Sequence, residues 1–278
     1  MRKLSIVNHK LSGDNVIPMA CPKNHDKFIQ GQPDSIIIHY TAGRDAASSA
    51  EYLCRDDVKA SAHLVIGRKG EIYQLVDFNT VAWHAGESQY AGRTGYNKYS
   101  IGIELDNAGQ LKQAGTEFVS WFGQKYQQNE AIYATHRNEQ QPSWWQAYTP
   151  EQIEACRQVC ELFIKNTAYG IKSILGHEEI APGRKQDPGP AFPLNKFRTM
   201  LLSQNRSDEV PEMGMPGAVV HADLLNIRER PSVDAKKVAQ PLKNGTEVKI
   251  LDEANGWYLV ETKITGWVSK GFVEIKEK

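Results

Sequence analysis

The chain has 278 residues, 40% hydrophobic and 24% charged, an ordinary balance for a globular protein with enough apolar side chain to build a core. Its 33 basic and 33 acidic residues cancel, so no long-range field draws in nucleic acid or an anionic membrane surface, and a charged partner must be held by local groups. The length exceeds a common domain of roughly 100 to 150 residues, so one large unit and one small one are expected.

The first twenty residues alternate apolar with polar, and no run of ~18 apolar residues follows anywhere. Neither an export signal nor a membrane span is read, and localisation stays open. The four cysteines, Cys21, Cys54, Cys156 and Cys160, show no CxxC spacing, which sets aside a structural zinc knuckle and a redox motif. Cys156 and Cys160 share a helical face with Ile153 and Phe163, where small core fillers are expected.

In chain order, Ser35-Ile-Ile-Ile-His39 after Pro33-Asp34 reads as a buried strand ending in a histidine. Ala46 to Asp57 carries Ala47, Ala50, Leu53 and Cys54 at helical spacing. His63 to Ile66 and Glu71 to Val76 flank a glycine-containing turn and predict a hairpin. Ser100 to Leu105 is a second buried strand, with the acid Glu104 inside an apolar run. Phe118, Trp121, Phe122 and Tyr126 recur at helical spacing and predict a helix over Thr116 to Gln127. Asn129 to Tyr148, with Pro142-Ser-Trp-Trp145, reads as a loop, and Thr149, Pro150 and Gln152 announce a helix running to about Asn166. This mixture predicts an α/β domain with a central sheet flanked by helices. Near residues 203–216 the composition turns to Ser, Asn, Asp, Glu, Pro and Gly, as in a linker. Beyond it Leu225 to Arg228, Glu247 to Leu251, Trp257 to Val260 and Gly266 to Val268 read as the short strands of a small all-β barrel.

Two histidines stand out among eight. His39 closes a buried strand, where an unsatisfied imidazole costs free energy. His177 opens Gly176-His-Glu-Glu-Ile-Ala-Pro-Gly-Arg-Lys-Gln-Asp187-Pro-Gly-Pro190, in which an acid precedes a rigid stretch. Two imidazoles and one carboxylate are the ligand count of catalytic zinc. Ligands so far apart along the chain make a weak signal by spacing alone.

Together, Ile36-Ile-Ile-His39, Ser61-Ala-His-Leu-Val-Ile66, Ala82-Trp-His-Ala-Gly86, Tyr99-Ser-Ile-Gly-Ile-Glu-Leu105 and the 176–190 segment resemble the zinc-type N-acetylmuramoyl-L-alanine amidases, a family shared with amidase-type phage lysozymes and peptidoglycan recognition proteins. The resemblance covers roughly Pro33 to Leu201 and is nearest to the branch that trims muropeptides during cell-wall recycling. It implies a mixed sheet flanked by helices, a zinc ion on His39, His177 and Asp187, and hydrolysis of the amide between N-acetylmuramic acid and L-alanine.

By the same resemblance Glu104 is the catalytic acid and base and Lys185 the oxyanion partner. Arg184 binds a stem-peptide carboxylate, while Trp83 and His84 line the groove. His63 is expected to pack and support rather than ligate. The chain departs from the phage-lysozyme and recognition-protein branch in carrying Ala62 where that branch has a tyrosine, which leaves Glu104 as the base. The interval from Glu104 to His177 is long, with residues 129–148 as the insert. Trp144 and Trp145 in it either roof the groove and bind sugar faces or pack the insert onto the domain. Some relatives bind peptidoglycan without cutting it and lack part of the zinc set; all three ligands and Glu104 are present here, so an enzyme is expected.

Residues 217–278 resemble bacterial SH3-like domains through Leu225-Asn-Ile-Arg-Glu-Arg-Pro231, Gly245-Thr-Glu-Val248, Gly256-Trp-Tyr258 and Gly266-Trp-Val268. The expected organisation is an amidase domain over 1–202, a linker over 203–216 and an SH3-like domain over 217–278. The expected partners are peptidoglycan or muropeptides, with the protein acting as a monomer.

Overall fold

A computed structural model describes residues 4–24, 26–29, 33–203, 217–228, 236–254 and 257–262. The chain divides into two compact units, Met1–Ser207 and Asp208–Lys278. In the first, the elements that position the site are β1 (Val16–Pro18), β2 (Ser35–Tyr40), α1 (Ala46–Cys54), β3 (Leu64–Ile66), β4 (Ile72–Gln74) and β5 (Ser100–Leu105). An inserted set follows: β6 (Gln110–Ala114), β7 (Glu117–Val119), β8 (Lys125–Tyr126), β9 (Ala131–Thr135) and β10 (Pro142–Gln146). Then come α2 (Pro150–Lys165), β11 (Ser173–Gly176), the single turn α3 (His177–Ile180) and α4 (Leu194–Ser203).

The central sheet runs β11-β2-β5-β3-β4-β1, all neighbours parallel except β3 with β4. Side chains alternate across a strand, and β2 shows it directly. Ile36 and Ile38 enter the large core against Val159, Phe163 and Phe197 of the two long helices, while Ile37 packs on the other face with Leu175 and Ile180. His39 follows Ile37 by two residues and therefore emerges on the face away from α2.

The α2 start matches its sequence signals. Thr149 caps it by accepting the Gln152 backbone N–H at 3.2 Å, and Pro150 opens the first turn. The Gln152 side chain goes elsewhere, donating to the Ile66 and Asp106 carbonyls at 2.9 and 3.0 Å and so tying the helix to the ends of β3 and β5. Cys156 and Cys160 are fully buried core members, and all four cysteines are free thiols. The α1 helix stops at Cys54, three residues short of the expected end, where the Arg55 N–H turns back to the Tyr52 carbonyl.

Two expectations fail in the insert. Residues 116–127 form no helix, and 129–148 are not a loop; together with β6 they build a five-stranded antiparallel sheet, ordered β8-β7-β6-β10-β9. Gly115 and Gly123 adopt φ of 65° and 85°, which favours the tight turns that separate the strands. Phe118 then pairs directly across from Tyr126, and both are buried. Trp145 is 1% exposed and donates to the Ala134 carbonyl, while Trp144 packs on Phe118 and Tyr133 at 4.4 and 4.8 Å. Neither lines the cleft, so the packing reading of this tryptophan pair is the correct one.

In the second unit β12 (Gly217–Val219) pairs with β15 (Glu247–Ala254), which pairs with β16 (Trp257–Glu261), and β13 (Leu224–Leu225) pairs with β14 (Leu242–Lys243). Val220, Leu242 and Val248 form its core. Residues 204–216 of the expected linker and the expected Gly266 to Val268 strand lie outside the described residues. Among those described, no helix is long and apolar enough to cross a membrane.

Candidate metal centre

Strand register assembles the site. Gly176 at the end of β11 pairs with Ile38, so His177, the next residue, emerges beside His39. On the other side of β2, Glu104 of β5 lies across from His39. The segment after α3 then returns Asp187, whose carbonyl accepts the Glu178 N–H at 2.8 Å.

The Nδ1 atoms of His39 and His177 are 2.9 Å apart, and each is 2.9 Å from Oδ2 of Asp187. These three buried side chains are the one group among the described residues whose donor atoms could hold a metal ion. The outer ring nitrogens decide what the inner ones present. His177 Nε2 lies 3.1 Å from the Ala85 carbonyl, which only accepts, so Nε2 carries the proton and Nδ1 is bare. The Ser100 hydroxyl gives its proton to the Tyr96 carbonyl, so both the Ser100 carbonyl and hydroxyl oxygens can only accept from His84 Nε2. His84 Nδ1 is then an acceptor, His39 Nε2 donates to it at 3.0 Å, and His39 Nδ1 is bare as well.

Burial, with the neighbouring His177, lowers the His39 pKa to about 4, which keeps the ring neutral. Burial alone would raise Asp187; a proton on the His177 or His39 ring facing it would outweigh that and hold the carboxyl below its usual range, so the negative charge persists whenever either ring takes up a proton. Two lone pairs and a carboxylate thus converge on one point. That arrangement is repulsive by itself and suits a divalent cation, with each histidine oriented by a partner behind it.

Glu104 sits beside this group with its Oε2 buried and without a hydrogen-bond partner. Burial, then the Asp187 charge, raise its pKa well above the ordinary 4.5, offset in part by Lys185. Lone acids of this kind mark proton-transfer sites. Glu104, Lys185 and Arg184 line, with the three donors, one cleft of about 810 Å3. Arg184, which lines the cleft, spends Nη2 on the Ala85 and Glu87 carbonyls, which anchors the guanidinium.

The other expected residues are placed differently. His84 reaches the cleft wall, yet both its ring nitrogens are engaged, so it braces His39. Trp83 is half-buried and does not line the cleft; its backbone pairs with Ser61, which does. His63 is fully buried away from the donors: Nδ1 accepts the Gly102 N–H and Nε2 donates to the Thr80 carbonyl. Sequence reasoning missed three supports. Gly102 leaves room for the His84 ring, since a Cβ there would stand 2.3 Å from its Cγ. Asn97 Oδ1 accepts the His84 and Ala85 N–H groups. His136 contacts Glu178 and the Gln186 carbonyl, both next to donors. A Gly inside the matched 99–105 segment is the available signal for the first; Asn97 lies between matched segments, and nothing local marks it or His136.

Comparison with known proteins shows the family. Residues 29–190 match the family described as N-acetylmuramoyl-L-alanine amidase, and residues 223–274 match the bacterial SH3 domain. The 1,6-anhydro-N-acetylmuramyl-L-alanine amidase AmpD of Escherichia coli (strain K12) is 36% identical over 147 residues, 53% of this chain and 61% of that protein. The N-acetylmuramoyl-L-alanine amidase AmiD of the same organism is 33% identical over 218 residues, 74% of this chain and 68% of that protein. A crystal structure of a selenomethionine derivative of AmpD is 27% identical, with a TM-score of 0.49, covering 70% of this chain and 98% of the other. The chain thus spans about three fifths of the length of AmpD, at 61%.

Proposed function

The chain belongs to the family of N-acetylmuramoyl-L-alanine amidases, and on that premise we propose that it hydrolyses the amide between N-acetylmuramic acid and L-alanine in peptidoglycan or its muropeptide fragments, with zinc held by His39, His177 and Asp187. The observation that carries this reading is the convergence of two bare imidazole nitrogens and a carboxylate beside an acid with an unpartnered oxygen. When bound, zinc supplies Lewis acidity that polarises a carbonyl and makes water a nucleophile with a pKa of ~7.

The protein's own groups do the rest. Glu104 takes a proton from the attacking water and passes it to the nitrogen as the carbon–nitrogen bond breaks, leaving a lactyl carboxylate on the sugar and a free L-alanine amine. A raised pKa suits both halves of that task, because the acid must hold the proton before giving it up. The Lys185 ammonium, whose field reaches Glu104 and His39, stabilises negative charge on the carbonyl oxygen. Arg184 pairs with a stem-peptide carboxylate through the N–H groups its backbone contacts leave over. His84 acts through His39, and Trp83 shapes the wall through Ser61.

All these groups come from one chain, so a monomer is the working unit, organised as an amidase domain over 1–202, a linker over 203–216 and an SH3-like domain over 217–278. The last, which carries the bacterial SH3 match, tethers the enzyme to cell-wall peptides and raises the local substrate concentration.

The test is mass spectrometry of a muramoyl-L-alanyl peptide incubated with the protein as isolated, after chelation, and after zinc is restored. Cleavage at the lactyl amide, lost with the metal and regained with it, is expected. Substrate that is bound yet returned intact in all three samples would leave a binding protein in place of a hydrolase.

A further inference from the structure

The cleft carries an aromatic surface that the hydrolytic chemistry does not use. Trp121, in the turn between β7 and β8, lines the cleft and is 74% exposed. It is held in place all the same: Nε1 donates to the Ala42 carbonyl at 2.9 Å, and Phe122 meets the ring edge-on at 5.5 Å and 90°. An indole whose only donor is spent on backbone offers a fixed, bare ring face. Tyr52 of α1, 54% exposed, lines the same cleft.

Charge divides the cleft wall. The two cations, Arg184 and Lys185, come with Asp187 from the segment after α3 and Glu104 rises centrally from β5, next to β2, whereas α1, the 41–43 turn and Trp121 contribute neutral side chains only, among them the hydroxyls of Thr41 and Ser48. In the sheet order, β11 and its following segment lie on one side of β2, and β3 and β4, on which α1 packs through Val65 and Leu75, lie on the other. The cations and the aromatic surface therefore flank the metal-facing donors from opposite sides. Flat apolar faces with nearby hydroxyls and no charge suit a pyranose, which presents C–H groups on its faces and hydroxyls at its edge. A peptide with several carboxylates belongs on the Arg184 side.

Resting on the amidase reading, we propose that Trp121 and Tyr52 form a saccharide subsite that binds the N-acetylhexosamine ring on the glycan side of the scissile amide by stacking on its apolar face.

The test uses the full chain and two readouts. In the first, the peptide-free disaccharide of N-acetylglucosamine and N-acetylmuramic acid is titrated into the protein and followed by calorimetry and by saturation transfer to the sugar protons. Trp121→Ala is expected to weaken binding about tenfold, as for the loss of a buried aromatic anchor, and Tyr52→Ala to weaken it less. Trp121→Phe keeps a ring and should retain most of the affinity. Far-ultraviolet dichroism of each variant shows that the fold persists. In the second, Trp121→Ala should raise KM for a muramoyl-peptide about tenfold more than for an N-acyl-L-alanyl peptide without sugar. Disaccharide binding that is undetectable in the unmodified chain, or equal in Trp121→Ala, overturns the subsite even where turnover is normal. Absent turnover with Trp121-dependent disaccharide binding overturns the amidase reading and leaves the subsite standing.

Discussion

Glu104 lies directly across from His39 on the neighbouring parallel strand, so the half-buried acid and the imidazole rise from the same face of the sheet. Register between two central strands is among the stiffest relationships a fold offers. The separation of this acid from the donor set is therefore set by the core and not by a loop.

Removing the acid should then leave the donors intact. Glu104→Gln is expected to retain zinc, measured by metal analysis of the purified protein, while kcat falls by about 10² to 10⁴, the usual worth of a positioned proton-transfer group. Near-normal turnover would take Glu104 out of the base role.

Asp187→Ala makes the opposite cut. It deletes the carboxylate that both Nδ1 atoms face, so metal and activity should be lost together. Zinc content equal to that of the unmodified chain would remove Asp187 from the ligand set.

The same acid, Glu104, with its Oε2 buried, costs stability. Its pKa is raised by burial first and by Asp187 second, so the folded chain holds a proton that the unfolded chain releases at the ordinary 4.5. Below that value both states are protonated and nothing is lost; as pH rises past it the unfolded state is favoured progressively, up to the raised folded value. Glu104→Gln cannot ionise and escapes this penalty. After chelation, its thermal midpoint should exceed that of the unmodified chain by a margin that grows as pH rises above the ordinary 4.5. A margin independent of pH would contradict the argument.

Gly102 is needed for space. A Cβ there would meet the His84 ring at 2.3 to 2.7 Å, and the ring cannot back away without releasing Ser100 or His39. Gly102→Ala is expected to weaken zinc affinity about 10- to 100-fold, as for loss of a group that orients a ligand. Competition with a chromogenic chelator measures this.

How much of this was readable beforehand depends on whether the cause was local. The β2 and β5 strands announce themselves through short isoleucine-rich runs, each with one histidine or acid near its end, and α2 through Thr149 and Pro150. The inserted sheet did not, because Phe118, Trp121, Phe122 and Tyr126 mimic a helical stripe. What rules out the helix is the pair of left-handed glycines, Gly115 and Gly123. The same mimicry conceals Trp121 as a helix-face residue, whereas Trp144 and Trp145 are packing residues. The orientation of His84 was equally hidden, since Ser100 dictates it from a different strand, 16 residues along the chain.

His136 is the support most remote from any sequence signal, 42 residues from its partner Glu178, and it yields a prediction with a definite sign. Its Nε2 is 2.6 Å from Glu178 Oε2 and 3.1 Å from the Gln186 carbonyl, and the same Glu178 oxygen accepts the Gly189 N–H. The residue just past β9 thereby fastens both flanks of Asp187. Burial pulls the His136 pKa down, but the Glu178 carboxylate outweighs it and the net shift is upward from 6.5. Its contribution is thus fully present below the ordinary value and fades as pH rises through the folded one. His136→Gln should cost about 2 kcal/mol near pH 6 and less near pH 9 by chemical denaturation. Because the loosened segment carries a donor, zinc affinity should fall about tenfold with Glu104 untouched. A stability loss that is the same at both pH values would show that His136 contributes by packing against Trp145, which it stacks on at 5.6 Å, and not by charge.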